Sequence, residues 1–262
     1  IPVELFAKEV QKPGLSLKHP DDLGVGMIFL PRTDLEAQRS VREIIEREIH
    51  RTGLTLLGWR KVPVNADELG DKARETRPEI EQVLIEKPAA WDSEKFERAL
   101  YLTRKVIEQE ALGKGLSDLY IPSFSHRTVA YKALVVAPQL ERFYLDLQDP
   151  EFKTSLCLLH QRYSTNTFPT WSLAQPFRLL CHNGEINTLK GNRNWMRARE
   201  AEMRSEIWGD EVGKLNPVIT EGGSDSAGLD NALELLTLSG RSVLHSMMML
   251  IPEAYQRMPH MD

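Results

Sequence analysis

Three short polar clusters interrupt an ordinary apolar pattern, and each has residue types suited to a small charged molecule. The first is Arg162-Tyr163-Ser164-Thr165-Asn166. An arginine just past a strand end can fork onto a carboxylate with two parallel hydrogen bonds, and the Ser164 and Thr165 hydroxyls add donors and acceptors beside it. The plain alternative is a surface arginine in a turn rich in Ser, Thr and Asn. The second cluster is His182-Asn183-Gly184-Glu185-Ile186-Asn187-Thr188. An Asn side-chain amide and a Gly backbone N–H can aim at one oxygen and hold a developing negative charge, and glycine lets a substrate approach closely. Asn-Gly is equally a common hairpin turn. The third is Gly222-Gly223-Ser224-Asp225-Ser226. Asp225 could accept hydrogen bonds from an ammonium group, although Ser and Asp before an apolar run also make good helix N-caps.

Together the clusters supply a carboxylate clamp, an oxyanion hole and an ammonium acceptor. Those are the polar needs of a free amino acid whose side-chain amide is attacked. Their order along the chain leaves open whether they meet in space.

The elements that must position them follow from hydropathy patterning. Leu23–Leu30 reads as a buried strand. Thr33 and Glu36 form a capping box ahead of a helix carrying Val41, Ile44, Ile45 and Ile49 on one face, stopped at Gly53. Strands are expected over Leu54–Val64 and Ile80–Glu86. A second helix opens at Ser93 with Phe96, Leu100, Thr103 and Ile107 on one face and ends at Gly113 and Gly115. Short strands are expected between Leu119 and Leu147, then at Ser155–His160 and Phe177–Cys181. Helices follow at Trp195–Ser205, Leu229–Leu238 and Val243–Leu250. Strands in the middle with helices at both ends favour a layered α+β fold over a doubly wound sheet.

Composition narrows the class. The chain has 262 residues, 41% hydrophobic and 27% charged, with a formal net charge of -5. It carries no Lys/Arg block, so a nucleic-acid partner has no electrostatic support. The apolar run Met247–Ile251 is too short to cross a bilayer. Cys157 and Cys181 form neither a disulfide framework nor a metal spacing, and a reducing, cytoplasmic compartment fits them. No phosphate loop or dinucleotide fingerprint is present. Both ends read as cuts within a longer protein.

The stretch HQRYSTNTFPTWSLAQPFRLLCHNGEINTLKGNRNWMRARE, His160–Glu200, resembles the glutamine-binding core of glutamate synthase large subunits. FYLDL at Phe143–Leu147 and GSDS at Gly223–Ser226 fit the same family. The similarity is strongest from about Leu119 onward. It implies a class II glutamine amidotransferase domain, partial and spanning 1–262. The implied fold is the four-layer αββα sandwich of N-terminal-nucleophile hydrolases, incomplete at its N-terminus.

Within that resemblance, Arg162 would bind the glutamine α-carboxylate, assisted by Ser164 and Thr165. Asn183 and Gly184 would form the oxyanion hole and Asp225 would hold the α-amino group. The loop Arg162–Thr170, with Pro169 and Trp171 beside it, would be the lid over glutamine. The family's nucleophile is an N-terminal Cys activated by its own α-amino group, and it is expected to lie before Ile1. Cys157, in an apolar run, reads as a small buried thiol, and Cys181 as structural.

The domain itself would need no cofactor and no metal. FMN and an iron–sulfur cluster, the remaining domains of the polypeptide, and an electron-donor subunit or ferredoxin are implied for the full-length protein, which would make glutamate from glutamine and 2-oxoglutarate. The alternatives are the amidotransferase domain of another synthase, or a non-catalytic amino-acid-binding module.

Overall fold

The computed structural model describes residues 1–12, 14–161, 163 and 168–252. These form two compact units, Ile1–Asn183 and Gly184 onward.

The first unit is built on four strands. They are β1 (Leu23–Leu30), β2 (Thr55–Lys61), β3 (Glu79–Glu86) and β4 (Tyr120–Ser125), in the order β2-β3-β1-β4 with every neighbouring pair antiparallel. Helix α2 (Leu35–Arg51) connects β1 to β2 and helix α4 (Ser93–Gly113) connects β3 to β4, so the topology is βαββαβ, with short α3 (Asp71–Glu75) before β3. The described residues thus contain an antiparallel sheet with helices, a mixed α and β architecture. Its strands fall in the first half of the chain rather than the middle.

Side-chain alternation divides the sheet into two faces. Ile28 and Leu30 of β1 with Val83 and Ile85 of β3 face α2 and α4, meeting Val41, Ile44, Ile45, Ile49, Phe96, Leu100 and Ile107. The helical spacing of both apolar stripes is as the sequence predicts, and each of these helix residues is at most 1% exposed. The approach is close: a Cβ on Gly26 would stand 2.5 Å from the Phe124 ring and 2.6 Å from Val83, so only glycine fits that helix-facing position. Met27, Phe29 and Ile80 point to the other face, into a cluster with Tyr131, Phe143, Tyr144 and Trp171. Helix α1 (Val3–Gln11) covers the rest of that face through Phe6 and Val10, against Leu23, Val25 and Leu84.

Helix α4 opens at Ser93 as the sequence predicts, whereas the α2 cap differs by one residue. The cap of α2 is Asp34, whose carboxylate accepts from the Ala37 N–H at 2.9 Å, rather than Thr33 with Glu36. The cap of α4 is Asp92, accepting from Lys95 at 2.7 Å. In both places Asp outcompetes its hydroxyl neighbour because its short carboxylate reaches the third helical N–H and complements the helix dipole. Gly53 ends α2 at φ +83°, and the Leu54 N–H then reaches back to the Ile49 carbonyl at 3.1 Å.

A polar network lies within the second face. Arg60 of β2 forks onto Asp146 at 2.5 and 2.7 Å and donates to the Gln82 side chain at 2.8 Å. Tyr131 donates to Asp146 at 2.7 Å and accepts from Gln82 at 3.0 Å. Burial, and then the neighbouring Asp146 carboxylate, push the Tyr131 phenol well above its ordinary pKa, so it remains a donor. Glu9 of α1 lies 3.3 Å from Arg60. Asp146 sits in a 3-10 turn (Leu145–Gln148) following α5 (Ala137–Phe143), so FYLDL is a core segment of this unit.

The second unit carries α6 (Leu189–Glu200), a 3-10 segment Gly209–Leu215, α7 (Asp225–Leu238) and α8 (Val243–Leu250). Leu215, Val218 and Leu233 are its most buried apolar residues, and Trp208 donates to Ser239 at 2.8 Å. The α8 bounds match the sequence expectation, whereas α6 begins six residues early and α7 four.

Asp146→Asn is expected to destabilise the first unit by about 3–5 kcal/mol, because it leaves the Arg60 charge buried without its partner. Asp34→Ala, which removes an exposed cap, is expected to cost about 1 kcal/mol. Chemical denaturation of the two variants tests the ordering; equal losses would show that the buried pair is not a fixed contact.

Candidate functional site

The segment between Trp171 and Asn183 makes no sheet bonds, and side chains fix it instead. Trp171 is 5% exposed, packs edge-on to Phe29 with ring centroids 6.1 Å apart, and donates to the Ala73 carbonyl at 3.3 Å. Buried Lys132 reaches the Ser172 carbonyl at 2.8 Å and the Tyr120 hydroxyl at 2.9 Å. Arg178 donates to Glu108 of α4 at 2.9 Å and to the Ile121 carbonyl of β4 at 2.8 Å. Burial raises the Glu108 pKa, but Arg104 and Arg178 outweigh it and hold the carboxyl below the ordinary carboxylate value. The expected strand Phe177–Cys181 is therefore irregular: these anchors satisfy it through side chains rather than through a strand partner. Trp171 is correspondingly a core residue, and the lid expected over 162–170 lies for the most part outside the described residues.

Just upstream, Ser155–His160 is also not a strand. Leu156, Leu158 and Leu159 are exposed, as is Cys157, contrary to the expectation of a buried thiol. A cleft of about 990 Å³ runs along this stretch, with Val129, Phe152, His160, Tyr163 and Gln175 among its walls. Tyr163 donates to the Ala133 carbonyl at 2.7 Å. Arg162, Ser164 and Thr165 lie outside the described residues.

At the end of the first unit, buried Gln175 holds the backbone of His182 from both sides. Its Oε1 accepts from the His182 N–H at 3.0 Å and its Nε2 donates to the His182 carbonyl at 3.2 Å, the pattern a neighbouring strand would supply. The side chain of the next residue, Asn183, meets His160, with Nε2 and Oδ1 2.8 Å apart. His182 is the sequence neighbour of Asn183. Its backbone is what matters there, and the imidazole in contact belongs to His160. No spacing signal marked Gln175 or His160, because both reach Asn183 or its neighbour through the tertiary fold.

In the second unit the structure joins two of the sequence-predicted clusters. Asp225, 5% exposed, accepts from the Ile186 N–H through Oδ2 at 3.0 Å. Its Oδ1 accepts from the Ser226 N–H at 2.7 Å and hydroxyl at 3.2 Å. Asp225 is the first helical residue of α7 and the cap is Ser224, accepting from Ala227 at 3.1 Å. Arg193 of α6 donates to the Gly223 and Ser224 carbonyls. The loop after Gly184 ends at Thr188, which adopts φ +59°, the one positive φ of a non-glycine among the described residues. Strain of this sort costs on the order of 1–3 kcal/mol and persists where surroundings enforce it.

The loop after Gly184 is thus tied back to the start of α7 by a buried carboxylate. The chain belongs to the class II glutamine amidotransferases, whose family model matches residues 1–262. It is 47% identical over 255 residues to the NADPH glutamate synthase large chain of Azospirillum brasilense, covering 97% of this chain and 17% of that one. It is 46% identical over 261 residues to ferredoxin-dependent glutamate synthase 2 of Synechocystis, covering 99% and 16%. With the NADPH glutamate synthase large chain of Bacillus subtilis it shares 43% over 263 residues, covering 100% and 17%. The chain thus spans about one sixth of the length of the curated relatives it matches. Among the described residues no helix is long and apolar enough to cross a membrane, and no group of three His, Cys, Asp or Glu could hold a metal ion.

Asp225→Asn keeps the side-chain shape but replaces one acceptor oxygen with an NH₂ group, which then faces a backbone N–H. The expected cost is about 1–3 kcal/mol, seen as a lowered melting temperature. A helix cap at this position would accept Asn with almost no change, so unaltered melting would show that the carboxylate does not hold the loop.

Proposed function

We propose that residues 1–262 are part of one glutamine amidotransferase domain that releases ammonia from glutamine within a glutamate synthase. In this reading the nucleophile is a cysteine thiolate at a mature N-terminus. The thiolate attacks the side-chain amide carbon, and the carbonyl oxygen becomes an oxyanion. Collapse expels ammonia, the leaving nitrogen taking up a proton. Water then cleaves the γ-glutamyl thioester to glutamate and the free thiol. Asn183 Nδ2 and the Gly184 backbone N–H hold the oxyanion. Arg162 forks onto the substrate α-carboxylate with Ser164 and Thr165 beside it, and Asp225 takes the α-ammonium.

The observation that carries this reading is the hydrogen bond from the Ile186 N–H to Asp225, which ties the loop after Gly184 to the GSDS segment although the two residues are 39 positions apart. Support for a four-layer sandwich comes from the family match and from the exposed leucines of Ser155–His160, an apolar stretch of the kind a further sheet layer covers. This reading gives neither Cys157 nor Cys181 the nucleophile's part; for Cys181 it is supported by burial, which pushes the thiol up, away from the thiolate that catalysis needs.

The released ammonia would react with 2-oxoglutarate elsewhere in the full-length protein, where FMN and an iron–sulfur cluster would carry the electrons. The relatives' names divide between NADPH and ferredoxin, so similarity over this stretch does not select the donor.

Three measurements test the proposal. Asn183→Ala in the full-length protein should lower kcat for glutamine hydrolysis by about 10²–10³ with KM little changed, while glutamate formation from free ammonia continues. Arg162→Lys should lower kcat/KM for glutamine by about a hundredfold, since a compact ammonium cannot make the paired bonds of a guanidinium. Residues 1–262 produced alone should turn over no glutamine. Turnover lost on Cys157→Ala or Cys181→Ala would overturn the assignment of the nucleophile.

A further inference from the structure

We propose that His160 is a positioning residue for the Asn183 amide, with Gln175 holding the backbone beside it. The inference rests on the oxyanion role given to Asn183 above. An Asn side chain has two ends, a carbonyl that accepts and an NH₂ that donates, and only the NH₂ end can stabilise an oxyanion. His160 Nε2 lies 2.8 Å from Asn183 Oδ1. With a proton on Nε2, present both in imidazolium and in one neutral tautomer, His160 donates to that carbonyl. A flipped amide would bring NH₂ against N–H, two donors without an acceptor. His160 therefore selects the orientation in which Nδ2 points away from the imidazole and is available for substrate.

Two further effects reinforce the selection. Donation to Oδ1 polarises the amide and strengthens its N–H groups as donors, since hydrogen bonds in a chain are cooperative. The bonds from Gln175 at 3.0 and 3.2 Å fix the His182 peptide, so the Asn183 backbone enters the loop along one path. Asn183 itself is exposed. Without these contacts its side chain would sample several rotamers, and a misplacement of about 1 Å at a reacting centre can lower a rate about a hundredfold.

The test is a mutant cycle in the full-length protein, with kcat and KM for glutamine and melting temperature measured for each variant. His160→Ala should lower kcat about tenfold to a hundredfold with KM nearly unchanged. His160→Gln, whose side-chain NH₂ can take the place of the imidazole Nε2–H, should recover most of that loss. In the Asn183→Ala background, His160→Ala should cost nothing more, because its effect passes through the missing amide. A normal kcat for His160→Ala overturns the positioning role. So does an equal loss from His160→Ala with and without Asn183, which would make the two residues independent. A normal kcat for Asn183→Ala would instead sink the oxyanion reading itself, so the two failures are distinguishable. A merely structural role for His160 would lower the melting temperature and leave no kcat-specific defect for Gln to rescue.

Discussion

The arrangement of the first unit turns on the buried ion pair between Arg60 and Asp146. On the sheet face away from α2 and α4, β3 places Gln82, which is fully buried. A buried amide needs partners, and here they come from Arg60 and Tyr131, both of which also engage Asp146. One carboxylate thus links β2, β3, the segment around Tyr131 and the turn after α5, and Glu9 brings α1 to the same guanidinium. Such a network adds little net stability over a well-packed apolar alternative, because desolvation offsets most of its attraction. What it supplies is geometry: the guanidinium, carboxylate, phenol and amide match in one mutual arrangement.

That geometry matters because the candidate site sits on chain without regular structure. Between Trp171 and Asn183 the backbone has no strand partner, yet it is held at four places by Trp171, Lys132, Arg178 and Gln175. Trp171, Lys132 and Arg178 reach the sheet layer or the clusters packed on it, whereas Gln175 ties the segment to itself. Irregular segments positioned by a rigid scaffold are common places for binding residues, because their side chains are not committed to a repeating pattern. The cost is that every buried polar group needs its own partner, and here long charged side chains perform that task at Glu108 and the Ile121 carbonyl.

The second unit divides labour between two adjacent residues. Ser224 caps α7, which frees the Asp225 carboxylate to reach the Ile186 N–H. Placing a carboxylate at the first helical position also sets its negative charge against the positive end of the helix dipole.

The amino-acid sequence determined the local elements wherever hydropathy alone sets the outcome. Leu23–Leu30 is a strand and Val243–Leu250 a helix at the expected residues, and the apolar stripes on α2 and α4 are the buried ones, because a 3.6-residue or two-residue period is written directly in residue order. The clusters around Asn183 and Asp225 stand out in the sequence by residue type, and one hydrogen bond, from the Ile186 N–H to Asp225, joins them in the structure. Tertiary structure decided the rest. Cys157 is exposed, although the sequence suggested a buried thiol, and Trp171 packs in the core. Phe177–Cys181 has strand-like composition without a strand, since charged anchors replaced sheet bonds. His160 and Gln175, 23 and 8 residues before Asn183, reach that residue and its neighbour only because the fold returns the chain to that point. No periodicity encodes such contacts: a hydrogen bond between distant side chains depends on where the whole backbone goes, whereas an apolar stripe depends only on its own helix.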